Sequence, residues 1–193
     1  GKWVVEAKLG MEADTIVSDD TVSAEVVGKF NTSGENGEGV ETSGGKLEIS
    51  VTTGVDGQPA ENVDKTTVTI QSISLESVKD SAVSEVAIAT DVGTVTLDKD
   101  AWNTITEKAD GSSVALTVEE KIGGGWTVSA VNASGDPVFS AEDDSRKGEI
   151  TVSVPYTPAQ ELAQGDKVVV YYVSEDGQLE SMTTIYEAGT LSW

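Results

Sequence analysis

Four pairs of carboxylates stand close enough along this chain to be weighed for acid–base chemistry: Asp19-Asp20, Asp98 with Asp100, Glu119-Glu120 and Asp143-Asp144. A glycosidase needs one carboxyl held protonated and a second held ionised, facing each other across a cleft. These pairs have a simpler origin. With 34 acidic residues in 193, such neighbours arise from composition alone. All but Glu119-Glu120 also fall at expected turns or helix starts, where Asp accepts hydrogen bonds from backbone N–H groups. The chain has no His and no Cys. That removes Ser–His–Asp catalysis, thiol nucleophiles, imidazole metal sites and disulfides. The expectation is a protein that is not an enzyme, with no catalytic, cofactor-binding or metal residue to assign.

Three other constellations carry possible chemistry. Asp56, Glu61 and Asp64 share one loop, and Glu142, Asp143 and Asp144 another. Hard cations such as calcium want several oxygens converging on one point. No Asp-x-Asp-x-Asp-Gly loop sets such a geometry, so solvated turn residues are the plainer reading. Trp3, Trp102, Trp126 and Trp193, with Tyr156, Tyr171, Tyr172 and Tyr186, could stack on sugar rings if exposed in a row. Trp126, Tyr156, Tyr186 and Trp193 are the freer ones, and core packing is the better expectation for all. Lys46, Lys65 and Lys167 begin strands and could enter an internal Lys–Asn isopeptide bond. No Asn partner can be read for them from the sequence.

The elements that would position these residues are mostly strands. Val22, Ala24, Val26 and Phe30 recur at even spacing. So do Leu47, Ile49 and Val51; Val114, Leu116 and Val118; and Ile150, Val152 and Val154. Period two with one polar face means antiparallel strands half-buried against a core. The run from Val168 to Val173 is apolar on both faces and is expected to be central. Glu85 to Thr90, a turn at 91–93, and Thr94 to Leu97 make a hairpin. Asn31 to Gly45, with five glycines, reads as a loop.

Two short helices interrupt this pattern. Over Ser72 to Ala82, the residues Leu75, Val78 and Ala82 share one face, and Ser72 or Ser74 can cap the start. Over Asp98 to Ala109, Asp98 is the N-cap and Ala101, Trp102, Ile105 and Ala109 form the buried stripe. Gly111 suits the stop.

Composition bounds the rest. Hydrophobic content is 37%, with 5% aromatic, lean but well patterned. The formal net charge of -22 repels nucleic acid and anionic membrane surfaces. No run approaches the roughly 18 apolar residues of a membrane helix. No signal peptide stands at the start, and the chain does not begin with Met, which reads as a processed protein or a fragment. Gly123-Gly124-Gly125 is the strongest punctuation and suggests a boundary between an N-terminal module at 1–121 and a C-terminal one at 122–193.

The C-terminal pieces GEITVSVPYTP, DKVVVYYVSEDGQLESM and TTIYEAGTLSW resemble a β-rich module of large Gram-positive (Firmicutes) surface proteins, the kind found near S-layer-homology anchors. Thr66 to Lys121, with ISLESVKDSA, VAIATDVGTVTLDKDAW and SVALTVEEK, resembles a second module of those proteins. Together they cover more than half the chain. Members of that family continue past the GTLSW position into a strand carrying a Thr-x-His-Phe-Ser motif. This chain has no His, so that strand is either cut away or absent from this member. The resemblance implies an exported, wall-associated location and carries over no functional residue.

The expected fold is mainly β. It comprises two antiparallel, sandwich-like (Ig-like) modules with two short α-helices in the first. The expected function is that of a non-catalytic structural or spacer module of an exported bacterial cell-surface protein, monomeric in isolation and without a cofactor. The alternative is a glycan- or protein-binding, adhesin-like module. The partners these readings imply are cell-wall polysaccharide or a host or neighbouring surface protein, with no nucleic acid and no membrane.

Overall fold

A computed structural model describes residues 2–7, 20–26, 40–43, 45–51, 63–121, 124–139, 147–164, 166–174 and 176–193, the first three stretches by their backbone. The chain runs through β1 (Lys2–Ala7), β2 (Asp20–Val26), β3 (Val40–Ser43), β4 (Lys46–Val51), β5 (Val63–Ile70), α1 (Ser72–Lys79), β6 (Glu85–Thr90) and β7 (Thr94–Asp98). It continues through α2 (Lys99–Lys108), β8 (Val114–Glu120), β9 (Trp126–Asn132) and β10 (Ile150–Pro155). The last elements are β11 (Val168–Val173), β12 (Leu179–Ser181), β13 (Ile185–Glu187) and β14 (Thr190–Ser192). The described residues are thus mainly β with two helices, as the patterning predicts.

The strands form two seven-stranded sheets. One has the order β12-β11-β1-β9-β8-β5-β2, the other β13-β14-β10-β7-β6-β4-β3. Most neighbours are antiparallel, but β2 with β5 and β4 with β6 are parallel. Parallel neighbours require a crossover. Here the chain makes it by leaving for the other sheet: β3 and β4 separate β2 from β5, and β5 and α1 separate β4 from β6. These two parallel pairs depart from the expected antiparallel arrangement. Alternation along a strand reports burial and does not report the direction of its neighbour.

Period-two burial follows the expectation closely. Leu47 and Ile49, Val114, Leu116 and Val118, and Val152 and Val154 are buried, while Glu48, Ser50 and Thr151 are exposed. The inward residues of both sheets join the buried faces of both helices in one hydrophobic cluster. Burial of each such aliphatic side chain contributes about 1.5–3 kcal/mol.

Of the expected boundary glycines, Gly124 and Gly125 lie in the turn between β8 and β9, which are antiparallel neighbours in one sheet; Gly123 lies outside the described residues. Lys121 N–H donates to Gly125 O at 2.9 Å, and Gly124 N–H to Lys121 O at 3.0 Å. Gly124 and Gly125 have φ of 82° and 113°, which only glycine adopts readily. Each sheet draws strands from both sides of position 121, since β7 also pairs with β10.

Three smaller differences have local causes. Val40–Ser43, inside the expected loop, is a strand because it pairs with β4 over four residues. Helix α1 stops at Lys79, so Ala82 lies beyond it and is exposed. Its N-cap is Gln71, whose side chain makes no cap bond, so neither Ser72 nor Ser74 caps it. Strand β11 is one place in from an edge, flanked by β1 and the three-residue β12. Val168, Val170 and Tyr172 are buried, and the alternate residues on its outer face are half-buried.

Candidate functional site

Asp98 ends β7 and caps α2, as its position before an apolar stripe predicts. Its Oδ1 accepts from Ala101 N–H at 2.8 Å, and its Oδ2 accepts from Glu149 N–H at 2.9 Å. Both oxygens therefore hold backbone. Asp100, two residues on, is exposed in the first turn of α2. The two do not converge as an acid–base pair.

Glu119 and Glu120 are consecutive in β8 and so point to opposite faces of the sheet. Glu119 is ion-paired with Lys121. Glu120 is half-buried, and its carboxyl is pushed above the usual carboxylate range, first by burial and then by the negative charge of Asp64. Here two acids weighed from the sequence act on each other. Asp64 is a member of the expected calcium set, but Asp56 and Glu61 lie outside the described residues. So do Asp19 and the set Glu142, Asp143 and Asp144, and Asp20 is described by backbone alone. Among the described residues no group of three or more acids is arranged to hold a metal ion.

The aromatics pack in pairs. Trp102 is buried and its Nε1–H donates to Leu75 O at 3.1 Å, tying α2 to α1. Trp126 and Trp193, expected to be freer, are only 4% and 8% exposed, and their rings lie 6.0 Å apart at 50°. Tyr156 and Tyr186 are half-buried and meet edge to face, 6.0 Å apart at 87°. This contact and burial raise the Tyr156 hydroxyl above its ordinary value, burial being the larger cause. Edge-to-face pairs stabilise a fold by about 0.5–1.5 kcal/mol beyond the area they bury. They do not offer the coplanar rings a sugar would stack on.

No match gives this chain a family. No family model, no curated protein and no solved structure matches it. The chemistry must be read from the residues themselves.

Among the lysines, Lys46 forms an exposed ion pair with Glu85 at 2.6 Å, with 67% of its side chain in solvent. Lys65 stands opposite Glu119 across the β5–β8 ladder, and Lys167 is exposed. Lys46 and Lys65 face no Asn across their ladders, and Lys167 precedes β11. Lys99, which the sequence reading did not single out, donates from Nζ to Val78 O at 2.5 Å and Ser81 O at 3.0 Å. It thereby closes the C-terminal end of α1, where a cation is favoured. Burial lowers its ammonium below the ordinary lysine value, opposed by the charge of Asp80. A Lys at the second helix's first position, next to an N-cap Asp, was the available signal.

Two further residues went unremarked in the sequence. Leu179 and Ile185 are 61% and 58% exposed, on the short edge strands β12 and β13. Their signal is a single large aliphatic in a polar stretch, too common to stand out. Among the described residues no helix is long and apolar enough to cross a membrane.

Proposed function

We propose that this chain is a non-catalytic structural module of an exported bacterial cell-surface protein, holding or displaying other parts of that protein. The observation that carries the reading is what the reactive side chains are engaged in. Both carboxylate oxygens of Asp98, the Lys99 ammonium and the Trp102 indole N–H are all committed to backbone groups that fasten one element to the next. The mechanism is mechanical. Cross-strand hydrogen bonds and a shared core resist extension, while a surface of net charge -22 keeps the module solvated and apart from its neighbours.

The resemblance of its middle and C-terminal segments to modules found near S-layer-homology anchors supports a Gram-positive, wall-associated setting. The second reading, an adhesin-like glycan- or protein-binding module, draws on the exposed aliphatic side chains of Leu179 and Ile185. The test is retention of the purified chain on isolated Gram-positive cell walls and a panel of polysaccharides, with calcium and with chelator. The structural reading expects no saturable retention. Retention that one free sugar competes away would replace it with the binding reading, and a calcium requirement would turn attention to the acidic loops.

A further inference from the structure

Leu179 and Ile185 stand on terminal strands of the two sheets. Strand β12 ends one sheet and β13 ends the other, and only residues 182–184 separate them. The ladder fixes which backbone groups of β12 are open. Ser174 N–H donates to Gln178 O, and Met182 N–H donates to Val170 O. Between these bonded pairs, Val173 faces Leu179, Tyr172 faces Glu180 and Tyr171 faces Ser181. Bonded and non-bonded pairs alternate in an antiparallel ladder. Leu179 and Ser181 are therefore the residues whose N–H and C=O point away from β11. Among the described residues no backbone partner meets them.

The segment that carries this edge has charge of one sign. Residues 168–193 contain no Lys or Arg, and they contain Glu175, Asp176, Glu180 and Glu187. Hydrogen bonds from Ser174 and Gln178 hold the exposed Asp176 carboxyl below its ordinary range, so it stays ionised.

We propose that β12 is a docking edge for an extended, lysine- or arginine-bearing polypeptide segment with aliphatic residues at alternate positions, which adds as a strand beside Leu179–Ser181. Strand addition supplies main-chain hydrogen bonds, and side chains at alternate positions supply selectivity. The open N–H and C=O groups of Leu179 and Ser181 meet the first need, and the exposed Leu179 side chain the second. The acids of this segment favour a cationic strand and disfavour a second copy of this chain, which would bring the same charge to the same place. An edge of three residues is short, the usual protection against indiscriminate pairing, so binding is weak and falls with salt. The proposal does not depend on the module's place in a surface protein.

The test is calorimetric titration of the whole chain with a synthetic peptide alternating lysine and valine, against one alternating glutamate and valine. Two variants probe the edge. Ser181→Pro removes an outward N–H that the ladder to β11 does not use, and Leu179→Thr removes the exposed aliphatic without changing charge. The expected result is binding of the lysine peptide alone, weakened about tenfold or more by each variant, with the thermal midpoint unmoved. Equal binding by both variants would mean diffuse attraction to an acidic surface and would overturn the proposal. So would equal binding of the glutamate peptide, no binding at all, or a dimer of the chain that either variant dissolves.

Discussion

Asp98 clasps Glu149 at two points: its backbone N–H donates to Glu149 O at 3.1 Å while its Oδ2 accepts from Glu149 N–H at 2.9 Å. The same carboxylate caps α2 through Oδ1. One side chain thus joins the end of β7, the start of α2 and the approach to β10, across 51 positions of sequence. Asp98→Ala removes an N-cap and leaves the Glu149 N–H without its side-chain acceptor. The expected loss is about 1–3 kcal/mol, read as a lowered midpoint in urea unfolding at unchanged slope. Asp98→Asn keeps an acceptor for one of the two N–H groups and is expected to fall between wild type and Ala.

Gly148 faces the same clasp. Its φ is +87°, and a Cβ there would lie well inside contact distance of Ala101 N and Asp98 Oδ1. Gly148→Ala therefore meets both backbone strain and a collision with the cap. Gly135, with φ +86°, has nothing within 4 Å of a built Cβ, so Gly135→Ala meets strain alone. Gly135→Ala is expected to cost about 1 kcal/mol. Gly148→Ala should cost clearly more, and equal losses by thermal unfolding would refute the cap collision.

Glu120 gives a pH dependence. Its carboxyl is raised in the folded state by burial and by Asp64. For a raised group, the stabilising contribution is complete below the unfolded-state value and is lost as pH rises through the folded one. Acidification from neutrality into the carboxylate range should therefore relieve this site. Glu120→Gln is expected to raise Tm at pH 7 and to lose that advantage once the wild-type carboxyl is protonated. A Tm gain that persists unchanged in acid would assign the effect to packing.

Lys99 closes α1 by reaching two carbonyls near its C-terminal end. Lys99→Met keeps most of the aliphatic stem and removes the donors. The expected cost is about 1–2 kcal/mol. Amide hydrogen exchange should show faster opening in α1 and the turn at residues 80–82 than in the β5–β8 ladder. Uniform acceleration across the molecule would mean that Lys99 acts on global stability and has no special hold on that helix end.

Much of the local structure was legible in the chain itself. The alternation of Val114, Leu116 and Val118 defines β8 because a pleated strand sends successive side chains to opposite faces. The spacing of Ala101, Trp102 and Ile105 behind Asp98 defines α2 because a helix repeats every 3.6 residues and needs a cap. The missing His and Cys removed whole classes of chemistry without any coordinates. What only the tertiary structure decided is partnership. That Trp126 meets Trp193, that β2 runs parallel to β5, and that Gly124 and Gly125 turn a hairpin within one sheet are relations between residues that pattern does not pair. Pattern along a strand states which side faces the core but carries no label for the neighbour that covers it. The open edge at Leu179 and Ser181 was hidden for the same reason, since the direction of an N–H depends on the strand it is bonded to.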